Sequence, residues 1–140
     1  MIVCIDTNVL LQAAKFGHPF HAIFEGWFRR EFVWAVSNDI SLEYEEMLIR
    51  QSGKERWLQF SRVLDLAEAK GDLILYVRPS FQFQVITADP DDNKFSDCAI
   101  TAAADYVITE DAHFEVLRNA GYKPKPITPD EFIQKHLMQK

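Results

Sequence analysis

The sequence predicts an α/β fold, a three-layer α/β/α sandwich around a central parallel sheet. Short apolar runs alternate with amphipathic helical stretches along the whole chain, and the runs are apolar throughout. Strands that alternate with helices form a parallel sheet covered on both faces, whose strands read as continuous apolar segments. In addition, an acidic residue stands near the carboxyl end of several of these runs.

Taken in order, residues 1–5 form a first buried strand, ended by Asp6, Thr7 and Asn8. Phe20, Ile23, Phe24, Trp27 and Phe28 set a helix over residues 20–30. Residues 32–36 are a second strand, closed by Ser37, Asn38 and Asp39, residue types that cap a following helix. Helices follow over about 39–51 and 54–70, the latter stopped at Gly71, and residues 73–77 are a third strand. Residues 79–90 are irregular, with Phe81, Phe83 and Val85 alternating with Gln82 and Gln84 as in an edge strand or a flap. Over 93–104, Phe95, Cys98, Ala99, Ala102 and Ala103 give a helix with a small-residue face for close packing on the sheet. A strand at 106–109, a short helix at 112–119 before Gly121, and a strand at 125–127 complete the alternation. Thr128, Pro129 and Glu131 then begin a last helix, as N-cap, first helical residue and closing member of a capping box. With no repeat or linker in view, residues 1–140 read as a single domain.

Composition narrows the function. The 140 residues are 48% apolar and 26% charged, ample for one core and too apolar for a disordered chain. Fifteen basic against twenty-one acidic residues leave a net charge of −6, unlike a protein that coats nucleic acid with a basic surface. An enzyme that meets a phosphodiester through bound cations remains compatible, because those cations reverse the local sign. Cys4 and Cys98 fall inside apolar patterns and read as small buried hydrophobes. No cationic-then-apolar leader precedes Ile2, and no apolar run approaches the roughly 18 residues of a membrane span. The expectation is a cytoplasmic protein without a membrane partner. Trp27, Phe28, Trp34, Phe81 and Phe83 offer more aromatic surface than a small core readily hides, so a homodimer is expected.

Four acids fall at one edge of the expected sheet. Asp6 follows the first strand directly, and Asp111 lies two residues past the fourth. Glu43 sits in the first turns of the helix after the second strand, and Asp92 at the start of the helix before the fourth. Open parallel sheets build their sites at this carboxyl edge. Carboxylates gathered there suit a hard divalent ion such as Mg²⁺ or Mn²⁺, and two such ions activate a water and stabilise a leaving oxygen in phosphodiester hydrolysis. On the helical wheel Glu43 falls about 40° from Met47, at the border of the apolar stripe, so it is preferred to Glu45 and Glu46. Plainer readings exist for each: a turn former for Asp6, a solvated face for Glu43, helix caps for Asp92 and Asp111. Asp97 ranks below the four, and Asp89 and Asp91 read as loop residues. His18, His21, His113 and His136 lack ligand spacing, while Lys15 and Lys94 read as charge compensation.

At these residues the chain resembles the PIN-domain family over nearly its whole length. The matching segments are Asp6-Thr7-Asn8-Val9-Leu10, Ser37 through Leu48 with Glu43, Asp89-Pro90-Asp91-Asp92-Asn93-Lys94-Phe95 followed by Ala99, and Asp105-Tyr106-Val107-Ile108-Thr109-Glu110-Asp111. The resemblance implies that Asp6, Asp92 and Asp111 bind metal, that Thr7 and Asn8 support Asp6, and that Glu43 serves the same centre. Thr109, two residues before Asp111, matches a supporting position, and Asp97 an acidic position that would make it an outer ligand. It is strongest to the toxin components of bacterial toxin–antitoxin pairs, the VapC-like ribonucleases. Mg²⁺- or Mn²⁺-dependent cleavage of RNA, frequent dimers and a cognate antitoxin are implied. One departure is Glu110, where the family often carries Gly, Arg or Lys.

The leading expectation is therefore a metal-dependent endoribonuclease with Asp6, Glu43, Asp92 and Asp111 as catalytic residues. A structure-specific deoxyribonuclease and a non-catalytic module that binds RNA or a protein partner are the alternatives. A haloacid dehalogenase-type phosphatase would need an acid two residues after Asp6, where Asn8 stands, and a receiver domain would need an acidic pair after the first strand.

Overall fold

A computed structural model of the protein describes residues 1–79, 93–121 and 123–137. Its elements are β1 (Ile2–Ile5), α1 (Thr7–Ala13), α2 (His21–Phe28), β2 (Val33–Ser37), α3 (Asn38–Ser52), α4 (Lys54–Lys70) and β3 (Ile74–Val77). Then come α5 (Asn93–Thr101), β4 (Tyr106–Ile108), a 3-10 helix (Ala112–Leu117), β5 (Lys125–Ile127) and α6 (Pro129–His136). Among the described residues the five strands form one sheet in the order β3-β2-β1-β4-β5, and every pairing is parallel.

The continuous apolar runs become the inner strands. Val3, Cys4, Trp34, Ala35, Val36, Val107 and Ile108 are fully enclosed, as strands covered on both faces require. At one sheet edge, β3 leaves Leu75 and Tyr76 partly exposed, and at the other β5 accommodates Pro126, which an inner strand would not. Trp27 and Trp34 are both buried and meet edge to face at 5.1 Å, a pairing worth about 0.5–1.5 kcal/mol beyond the area buried. These two tryptophans therefore belong to the core and not to a dimer surface. Of the aromatic residues expected to face a partner, Phe28 alone among the described ones is well exposed.

Two of the expected helix caps form. Ser37 Oγ accepts from the Ile40 N–H at 3.3 Å, and Thr128 Oγ1 accepts from the Glu131 N–H at 3.2 Å. Cys4 and Cys98 are buried free thiols. Two elements differ from expectation. Helix α1 follows β1 without a loop and buries Val9, Leu10, Leu11 and Ala13, whereas the sequence reading placed no helix there. Helix α5 ends at Thr101 instead of continuing to Ala104, and Ala103 beyond it takes a left-handed φ of 53°. The edge strand or flap expected around Phe81, Phe83 and Val85 lies outside the described residues. Among the described residues no helix is long and apolar enough to cross a membrane.

Candidate functional site

The strand order reverses between β1 and β4: from β1 the chain moves out to β2 and β3, and it returns to the far side for β4 and β5. Ligands of open α/β sheets bind beyond the carboxyl ends of the strands at such a switch point. Asp6 and Asp111 follow these two strands.

Asp6 is 5% exposed, and its N–H donates to the Ile108 carbonyl at 3.0 Å, which stitches the end of β1 to the end of β4. It occupies the N-cap position of α1, yet its side chain makes no capping hydrogen bond. Its Oδ2 instead accepts from Thr109 Oγ1 at 2.8 Å. The same Thr109 oxygen accepts from the Asp111 N–H at 2.9 Å. One buried hydroxyl thus orients a carboxylate with its proton and fixes the backbone of a second acid with its lone pair. Asp111 caps the 3-10 helix, with Oδ1 accepting from the His113 N–H at 2.9 Å, so the plain capping role holds for it as well.

Asp6, Asn8, Leu11, Gln12, Gln51, Glu110 and Asp111 line a cleft of about 380 Å³. Gln12 Nε2 spans its mouth, donating to the Asn8 carbonyl at 3.2 Å and to Glu110 Oε1 at 3.3 Å. Glu110 is therefore part of this cleft and adds a negative charge to it.

Glu43 stands next door. Its Oε2 accepts from the Thr7 hydroxyl, and Lys94 Nζ lies 2.7 Å from its Oε1. It faces a recess of about 460 Å³ lined by Asp39, Leu42, Glu46, Met47 and Lys94. Behind it on α3, the Tyr44 hydroxyl donates to the Ile5 carbonyl, one residue before Asp6. Burial holds the Tyr44 hydroxyl well above its ordinary pKa, so it remains a donor at the end of β1.

Of the residues expected from sequence, Asp6, Asn8 and Asp111 thus share one cleft over Thr109. Asp97 is buried on α5 and does not line the cleft. Asp92 lies outside the described residues. The Lys94 reading as charge compensation agrees with its pairing to Glu43. His18 and His21 pack on Phe20 and Phe24, and His136 on Tyr106, in keeping with packing roles. Sequence reasoning missed Gln12, Gln51 and Tyr44. Asn8 and Gln12 are four residues apart, and only the recognition of α1 would have set them on one side of a turn.

Oxygen-only donors of this kind suit a hard divalent cation. Among the described residues no three His, Cys, Asp or Glu side chains are close enough to hold one unaided, and Asp6 and Asp111 supply two carboxylates.

The family model of the PIN domain matches residues 2–113, a span that contains Asp6, Glu43, Thr109 and Asp111. No curated protein and no solved structure matches the chain. The chain belongs to the PIN-domain family.

Proposed function

We propose that this protein is an endoribonuclease that depends on Mg²⁺ or Mn²⁺ and acts as the toxin of a toxin–antitoxin pair. PIN domains are in general metal-dependent nucleases. The observation that carries the reading is the Asp6 carboxylate, buried at the switch point and left unused as a helix cap. Thr109 fixes that carboxylate in a cleft it shares with Asp111, and carboxylates gathered at a strand-end cleft suit a hard divalent cation.

Asp6 and Asp111 would hold the cation, joined by Asp92, the third acid expected from sequence. When bound, a divalent cation supplies Lewis acidity and lowers the pKa of a coordinated water. Thr109 keeps Asp6 in one rotamer, and Glu43, fixed by Thr7 and Lys94, orients the attacking water. Asn8 at the cleft mouth contacts the phosphodiester, and Asp97 supports the centre from α5. The substrate is single-stranded RNA in the cytoplasm, with an antitoxin as partner and a homodimer as the working assembly. A deoxyribonuclease uses the same residues and differs in substrate alone.

Glu110 favours a second reading. Its charge in the cleft opposes a polyanion, as in a module that binds RNA or a protein without cleavage. Calorimetry with Mn²⁺, together with cleavage of single-stranded RNA, separates the two. Binding and cleavage in the wild type, both lost in folded Asp6→Asn and Asp111→Asn, support the nuclease. A wild type that binds no Mn²⁺ supports the module.

A further inference from the structure

We infer that Lys94 supplies the positive charge at Glu43 that a second metal ion would otherwise bring, so that the site loads a single divalent cation. The inference rests on the metal-dependent reading of the Asp6 cleft.

Glu43 is the acid beside the Asp6 cleft that a second cation would have to engage, and it already has two partners. Lys94 Nζ lies 2.7 Å from Oε1, and the Thr7 hydroxyl donates to Oε2. Both charged side chains are 24% exposed, which sets the pair apart from the open ion pairs of this surface, such as Arg50 with Glu46 at 67% and 64%. Shielded pairs are screened less by salt and water. Lys94 is also held in place by the fold, as the second residue of α5, with Glu43 in the first half of α3.

The charges around the recess point the same way. Asp39, Glu43 and Glu46 line it, and Lys94 is the cation among its described lining residues. Glu46 is shared with Arg50 outside. A dication entering at Glu43 would have to displace or sit beside an ammonium already in contact, and like charges at that separation repel strongly. Glu43 is also outside the lining of the Asp6 cleft, so one ion cannot be assumed to bridge both groups. An ammonium differs from a metal ion in what it provides. It neutralises and donates hydrogen bonds, but it does not acidify a water as a dication does. Lys94 is thus a positioning residue for Glu43, and it fixes the number of metal ions at one.

Calorimetric titration of the full chain with Mn²⁺ tests this, with bound Mn²⁺ counted independently by electron paramagnetic resonance. One ion is expected in the wild type, two in Lys94→Met, and one again in Lys94→Met with Glu43→Gln. Lys94→Gln, which keeps a polar head near Glu43, provides the same comparison should the methionine variant fold poorly, as judged by circular dichroism. Two ions in the wild type, or one ion in both folded Lys94 variants, would overturn the inference and leave the metal-dependent reading intact. A wild type that binds no Mn²⁺ would overturn both.

Discussion

Thr109 and Asp6, 103 residues apart in sequence, are joined by a 2.8 Å hydrogen bond between two buried side chains, with the hydroxyl donating to Oδ2. The same hydroxyl oxygen takes the Asp111 N–H, so Asp6 and Asp111 are both set by one atom.

Thr109→Val keeps the shape of the side chain and removes that atom. A buried carboxylate and a backbone N–H each lose a partner, so the expected loss of stability is about 1–3 kcal/mol. Urea unfolding measures it, and Mn²⁺ affinity should fall in the same variant. Thr109→Ser, which restores the hydroxyl, should recover most of both. A valine variant with wild-type stability and affinity would remove Thr109 from any supporting role.

Glu110 lines the cleft with Asp6 and Asp111 and is solvent-exposed. Glu110→Gln retains an acceptor for Gln12 and deletes the charge. Its affinity for a short single-stranded RNA should rise roughly two- to fivefold, the range of an exposed charge interaction, with the gain shrinking as salt increases. Fluorescence anisotropy at two salt concentrations reads this. An unchanged affinity would mean that RNA does not approach this wall of the cleft.

Asp105 lies at the opposite ends of the strands from the cleft. The Lys123 ammonium, 2.8 Å away, and the Ile2 N–H hold its carboxyl below the ordinary value of 3.8. A depressed carboxylate stabilises the fold above its unfolded pKa, and that contribution is lost as pH falls through the lower folded value. The acid limb of a stability profile below about pH 4 should therefore be shallower in Asp105→Asn than in wild type. The group is partly exposed, so the difference is small, and a profile that superimposes on wild type would assign the Lys123 pair no energetic role.

Gly26 on α2 faces Leu137 beyond α6. A Cβ at position 26 would stand 2.6 Å from Leu137 Cδ2 and 3.1 Å from Cδ1, so Gly26→Ala forces the leucine to move. Overpacking costs about 1–3 kcal/mol, and the low end applies here because the leucine end can turn aside and alanine favours the helix. Leu137→Ala in the same chain should relieve part of it, giving a measurable coupling in a double-mutant cycle, while Mn²⁺ binding stays unchanged. Strict additivity would show that the two residues do not press on each other.

The inner sheet was legible because each strand is a short apolar run with both faces covered. Val3 to Ile5, Trp34 to Val36 and Val107 to Ile108 carry that signal without ambiguity. Helix ends were legible where a side chain does the capping, as at Ser37 and Thr128. Helix α1 was not legible, since it spans seven residues and Asp6, its N-cap residue, withholds its side chain from the cap. The site was legible in its acids and opaque in their partners. The strand-end position of Asp6 and Asp111 follows from the local pattern, but Thr7 reaching Glu43 and Tyr44 reaching Ile5 depend on how α3 lies on the sheet. Nothing in a linear pattern encodes that angle. Trp27 and Trp34 were counted in an aromatic surplus that one small core would not readily hide, and the chain built its core around both.

Strand β1 takes its place in the sheet between β2 and β4, and the second of these neighbours is translated long after the first. At ribosomal rates of about 5–20 residues per second, the 103 residues from Asp6 to Thr109 take roughly 5–20 s to emerge. During that interval a growing chain can pair β1 with β2 and fold α3 and α4, but it has no Thr109 to hold Asp6 and no Asp111 to face it. The cleft is thus absent from every partial product that ends before β4. A chain interrupted before β4 therefore carries Asp6 without the cleft around it.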